Sequence, residues 1–171
     1  MIPLKNVEFK DFSIKVKEAI SDLSYKSLEE VAGELESQIK RNTPVGKVAG
    51  GELKNKWQHR VKETHNGCEA TVGNPLERSL WVEFGTGDYA IPDSGKSSRK
   101  GGWFIPVGEG EGQISESVAK AYGFTIRNGK DGKKWVFTLG MKPKRPMHNA
   151  YTTKKNQLIK RIQSIFRGGL S

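Results

Sequence analysis

The sequence lacks the features that mark membrane proteins and disulfide-stabilised proteins. Its single cysteine, Cys68, cannot form an internal disulfide. No stretch approaches the roughly 20 apolar residues that a membrane-spanning helix needs. The first residues, Met1 to Lys5, lack the apolar core of a secretory signal. We therefore expect a protein without membrane contact that is made in a reducing cytoplasm.

Acidic side chains are nearly missing from the last quarter of the chain. From Arg127 onwards there are 12 Lys and Arg but one acid, Asp131, so the overall net charge of +10 belongs to this region. A basic region can bind phosphates or an acidic protein surface, or it can be the solvated face of a helix. The residues predicted to contact an acidic partner or DNA are Lys154, Lys155, Lys160 and Arg161.

The sequence also lacks an arrangement of residues typical of catalysis or metal binding. His59, His65 and Cys68 lie close together, but a structural zinc site needs a fourth ligand and paired short spacings. The glycines of residues 108–112 alternate with carboxylates, which would repel a phosphate. We therefore expect a protein that is not an enzyme, with no catalytic, cofactor-binding or metal-ligating residue and no cofactor.

The length of 171 residues fits one domain spanning residues 1–171. Apolar residues at helical spacing predict a helix from about Ser24 to Arg41. A lead-in segment over residues 1–23 precedes it, and its residues fit a short strand or an irregular lead-in followed by a helical turn. Proline cannot continue a helix, so Asn42-Thr43-Pro44 ends the first one. A second apolar stripe predicts a final helix after Pro146.

Several short strands are predicted between the two helices. Residues 53–64 fit a helix or a strand, and we favour a strand, which Asn66-Gly67 joins to the strand Cys68–Val72 in a hairpin. Apolar residues of 76–84 share one helical face. Three further strands are predicted at 103–107, 121–127 and 134–139, the last two as a hairpin.

The order of these elements indicates an α+β fold. We expect an antiparallel β-sheet packed against an N-terminal and a C-terminal α-helix. Long exposed loops are predicted at residues 88–102 and 108–117, where the chain is rich in Gly, Ser and charged residues and has little to bury.

Two segments have unusual local chemistry without a catalytic rationale. In Trp81–Gly87, Glu83 lies between apolar neighbours and would be costly to bury without a partner. Its carboxylate could bond to backbone amides of the turn at 85–87, pair with Arg145, or be exposed. In Lys142–Tyr151, two prolines hold an extended connection, and Pro146 suits the first turn of the last helix.

The order of these segments resembles the tail-completion, or tail-to-head joining, proteins of tailed bacteriophages, the gene-product-ten-like family. A Thr-Pro-Val motif followed by Gly-x-Leu is matched by residues 43–46 and 51–53, with Trp57 beyond. A Val-Glu-Phe-Gly-Thr-Gly motif is matched within residues 80–87, and a closing Pro-x-Arg-Pro motif within residues 143–151. The similarity covers about residues 25–166.

The resemblance implies a small α+β subunit that forms a ring, expected to be hexameric, at the head-proximal end of a phage tail. Its implied partners are further copies of itself, the tail-tube and connector or neck proteins, and DNA touched non-specifically in the lumen. The implied location is the virion, after synthesis in the bacterial host. The residues expected to serve structure and assembly, with Glu83 and Arg145 as a bracing pair, are Trp81, Glu83, Phe84, Gly85, Gly87, Arg145 and Pro146.

Overall fold

The computed structural model describes residues 13–47, 50–65, 67–92 and 100–169. The predicted α+β class is confirmed, with the N- and C-terminal helices flanking the strands. The strands form two separate small sheets instead of the one sheet that we expected. In chain order the elements are α1 Ser13–Asn42, α2 Glu52–Asn55, β1 Gln58–Thr64, β2 Gly67–Gly73, α3 Arg78–Phe84, β3 Trp103–Pro106, α4 Glu116–Ala121, β4 Ile126–Asn128, β5 Lys134–Thr138 and α5 Pro146–Gly169.

Helices α1 and α5 form an antiparallel pair. Glu34 of α1 accepts a hydrogen bond from Lys154 at 3.1 Å, and one turn earlier Glu30 accepts one from Arg161 at 2.6 Å. Helix α1 begins at Ser13, so the predicted start near Ser24 is wrong, and residues 13–23 of the predicted lead-in are helical. The reason is that residues 16–20 are exposed, so this part of the helix has no buried stripe to reveal it. Residues 1–12 of the lead-in lie outside the described part of the chain.

The first sheet is the antiparallel hairpin of β1 and β2, and it confirms the prediction made from Asn66-Gly67. Thr64 and Gly67 form the last pair of this hairpin. A strand through the whole of residues 53–64 is wrong, because the one-turn helix α2 precedes β1. Trp57, between α2 and β1, is 3% exposed and packs with Ile39 of α1 and Ala150 of α5. This cluster fixes the hairpin against both helices.

The second sheet has the strand order β3-β5-β4, and all neighbours are antiparallel. Val136 on the central strand is fully buried. The predicted strand at 121–127 is wrong in its first part, because α4 ends at Ala121 and a turn follows it before β4 begins at Ile126. Ser115 caps α4 by accepting a hydrogen bond from the amide of Val118 at 3.3 Å. Helix α4 thus begins inside the segment 108–117 that we expected to be a loop.

Candidate assembly site at the start of α5

The two segments singled out in the sequence meet in space where α3 ends and α5 begins. The carbonyl oxygen of Val82 accepts hydrogen bonds from the amides of Lys144 at 2.8 Å and Arg145 at 3.3 Å. These bonds fix the extended connection before α5 against the last turn of α3. We call this contact the α3–α5 junction, formed by residues 82–88 and 139–148.

Glu83 is the centre of the α3–α5 junction. It is 8% exposed, and its two carboxylate oxygens accept hydrogen bonds from the amides of Met147 at 2.9 Å and His148 at 3.0 Å. The first amides of a helix have no partner within the helix, and its positive dipole end favours a negative charge. Pro146, the first residue of α5, has no amide hydrogen to satisfy. Glu83 therefore caps α5 from a different element. The buried carboxylate and the two amides of α5 are each given a hydrogen-bond partner by this contact.

The expected pair of Glu83 with Arg145 is wrong, because the described ion pairs do not include one between these side chains. The amides of α5 occupy the carboxylate instead. Arg145 contributes through its backbone: its φ is 52°, and its carbonyl oxygen accepts the first helical hydrogen bond, from Asn149 at 2.9 Å. A residue other than glycine rarely adopts this left-handed backbone conformation, which indicates that the surrounding contacts impose it.

The glycines of the first motif allow two backbone segments to lie side by side. The amide of Thr86 donates to the carbonyl of Met141 at 2.9 Å, and the hydroxyl of Thr86 accepts from the amide of Met141 at 2.9 Å. Gly85 has a φ of 76°, and a β-carbon there would lie 2.8 Å from the carbonyl oxygen of Met141. At Gly87, with a φ of 61°, a β-carbon would lie 2.7 Å from the Trp103 ring. Both positions therefore require glycine for its backbone and for its lack of a side chain.

The remaining residues of the predicted assembly set lie around this junction. Pro146 is buried and Phe84 is half-buried, whereas Trp81 is 44% exposed on the outer side of α3. The residues that sequence reasoning missed are those that act through backbone atoms, chiefly Val82 and Met147. Nothing in their side chains signals the hydrogen bonds that their backbone groups make.

The four cations predicted to contact an acidic partner or DNA have different surroundings. Lys154 and Arg161 form ion pairs with Glu34 and Glu30 of α1, so they hold the helix pair together. Lys155 is exposed, with its ammonium 5.8 Å from the centre of the Tyr151 ring. Lys160 is exposed and forms no ion pair in the described ranges. Two of the four cations are thus free to meet another molecule.

His59 on β1 forms a charged cluster with the acids of α1. Its Nδ1 lies 2.5 Å from Glu36 and its Nε2 lies 3.1 Å from Glu29. Cys68, which we had considered beside it, lies near the backbone carbonyl of Ser21 instead. Within the described residues, no group of three or more His, Cys, Asp or Glu is placed to hold a metal ion.

The His59 cluster makes stability depend on pH. The hydrogen bond to Glu36 raises the pKa of His59 and outweighs burial, which would lower it. A raised pKa in the folded state stabilises the fold fully below the unfolded value of about 6.5 and stops doing so as the pH rises through the folded value. We expect the unfolding midpoint in urea to fall as the pH rises above about 6.5. The change His59→Gln should flatten this dependence, whereas His65→Gln, at an exposed position, should preserve it. If the unfolding midpoint of His59→Gln depends on pH as strongly as that of the unchanged protein, other groups cause the dependence.

Comparison with known proteins relates part of the chain to a described family. None of the helices in the described ranges is long and apolar enough to cross a membrane. No curated protein and no solved structure matches the chain. Residues 8–85, which include α1, the hairpin and the second motif as far as Gly85, match the HK97-gp10-like family model, described as "Bacteriophage HK97-gp10, putative tail-component". Over these residues, which are fewer than half of the 171 in the chain, the protein is similar to the HK97-gp10-like family of bacteriophage tail components.

Proposed function

We propose that the protein forms a ring, with six copies expected, at the head-proximal end of the tail, where it completes the tail tube and joins it to the connector. The observation that carries the proposal is the α3–α5 junction. Its two segments contain no catalytic arrangement, yet they are fixed to each other by a buried carboxylate and closely packed glycines. Such a junction supports a rigid surface for docking to other subunits.

Exposed apolar side chains and open strand edges supply the contact surface for this role. Leu80, Trp81 and Tyr89 beside the junction are 36%, 44% and 38% exposed. Large exposed aromatic residues are typical anchors of protein interfaces. Strands β3 and β4 form the edges of the second sheet, where the backbone groups facing away from β5 can pair with another chain.

The proposed partners are tail-tube and connector proteins, together with non-specific DNA contact in the lumen through Lys155 and Lys160. Nucleic-acid binding as the main function has less support, since Lys154 and Arg161 are engaged by the acids of α1. Two free cations neutralise two phosphates, which gives affinity only at low salt.

The proposal predicts a ring that depends on Trp81. Purified protein should give uniform rings in negative-stain images and a single multiple of the subunit mass by mass photometry. Trp81→Ala should raise the dissociation constant of the ring by about 30-fold or more, because a buried aromatic anchor contributes about 2 kcal/mol or more. Tyr25→Ala, an aromatic residue of α1 that is 39% exposed, is the control and should have little effect. A monomer at all concentrations, or a Trp81→Ala ring as stable as the unchanged one, would contradict the proposal.

A further inference from the structure

An open cleft of about 420 Å³ lies where all three family-like motifs come together. It lies between the loop after α1, helix α2, the end of α3, the end of α4 and the connection to α5. Residues that line it include Val45, Lys47, Leu53, Val82, Tyr122 and Lys144. Its floor is partly apolar, and Val45 is 55% exposed at its rim. We call it the motif cleft.

The motif cleft carries an excess of positive charge. Its charged lining residues are Lys47, Glu52, Arg78 and Lys144. Glu52 and Arg78 form an ion pair with each other. The Lys47 ammonium donates to the carbonyl of Ala121 at 3.0 Å and lies 5.7 Å from the centre of the Tyr122 ring. Lys144 has no ion pair among the described residues. Two cations therefore face the cleft without a carboxylate.

The same chain carries an exposed acidic loop at residues 108–113. The amide of Gly108 donates to the carbonyl of Ile114 at 3.0 Å, which closes the loop at its base. A β-carbon on Gly110 would lie 3.0 Å from the side chain of Gln113, and one on Gly108 would overlap it, so glycine lets the backbone fold around Gln113. Glu109 and Glu111 are left exposed and have no ion pair in the described chain.

The loop and the cleft lie at opposite ends of α4. The loop leads into Ser115, which caps the start of α4, whereas Tyr122 of the cleft follows its last residue. Six helical residues extend for about 9 Å, and the hydrogen bonds at the base of the loop, including that from Ile114 to Pro106 at 3.0 Å, hold it away from the far end. One molecule therefore presents the negative and the positive surface at two separate places.

We propose that the acidic loop 108–113 of one copy docks in the motif cleft of the next copy, with Glu109 and Glu111 meeting Lys47 and Lys144. The inference rests on the proposed ring and names the contact that closes it. Because the two surfaces differ, the association is head-to-tail, which is the arrangement that produces a ring when its rotation closes. Opposite charges across such a contact set the partner and the register.

Charge reversal tests this contact directly. The loop variant carries Glu109→Lys and Glu111→Lys, and the cleft variant carries Lys47→Glu and Lys144→Glu. For each variant alone, the dissociation constant of the ring, measured by mass photometry at low salt, should be at least tenfold higher than that of the unchanged protein. Mixing the two in equal amounts should restore assembly, because every reversed loop then finds a reversed cleft. A control with Glu63→Lys and Glu77→Lys, both at exposed positions, changes the net charge by the same amount as the loop variant and should assemble normally.

The outcomes separate the inference from the proposed function. If the unchanged protein forms rings and the loop variant forms them equally well, the inference is wrong while the ring proposal stands. If both variants stay monomeric when mixed, although circular dichroism shows them folded, the inference is wrong as well. If the unchanged protein never assembles, both are wrong. The loop variant suffices even where the cleft variant does not fold, because its two side chains are exposed.

Discussion

Replacing Glu83 by alanine should lower the free energy of unfolding by about 2–4 kcal/mol. The change leaves two amides at the start of α5, those of Met147 and His148, without an acceptor. Each unsatisfied buried group costs about 1–3 kcal/mol, and the lost carboxylate also removes a favourable interaction with the helix dipole. Urea unfolding followed by far-ultraviolet circular dichroism measures the loss.

Two further variants define the cause of the Glu83 effect. Glu83→Gln keeps one carbonyl oxygen and should lose about half as much stability as Glu83→Ala. Glu77→Ala, on the exposed residue just before α3, should change stability by less than about 0.5 kcal/mol. Equal stability of Glu83→Ala and the unchanged protein would show that α5 does not depend on this cap.

Replacing Gly87 by alanine should destabilise the protein by about 2–5 kcal/mol. Its φ of 61° is unfavourable for alanine by about 1–2 kcal/mol, and overpacking adds about 1–3 kcal/mol. The added methyl would meet the Trp103 ring at 2.7 Å and also overlap the backbone of Leu139. A lower unfolding midpoint with an unchanged slope in urea is the expected result.

Gly132 supplies the matched control for Gly87. Its φ of 74° is similar, but a β-carbon there would meet nothing within 4 Å. Gly132→Ala should therefore lose only the backbone contribution of about 1–2 kcal/mol. The difference between the two variants measures the close approach at the junction, and similar losses would mean that packing contributes nothing there.

Local patterns predicted the parts of the fold that local interactions determine. The Asn66-Gly67 signal fixed the first hairpin, and the apolar stripe after Pro146 identified α5, since turn chemistry and periodicity act within a few residues. The exposed start of α1 has no such stripe, and the short helix α4 stands among turn residues. Their conformation depends on capping and on neighbouring segments, so pattern reasoning missed them.

The sequence by itself determined the location of the positive charge, the single cysteine, the α+β class and the two motif segments that the structure brings together. Only the tertiary structure decided what those residues do. Glu83 finds its partners 64 and 65 residues away, on backbone amides that carry no sign in the sequence. In the same way, Lys154 and Arg161 become helix contacts because α1 and α5 pack antiparallel. Side-chain types are written in the sequence, whereas partners between distant backbone groups exist only once the chain has folded.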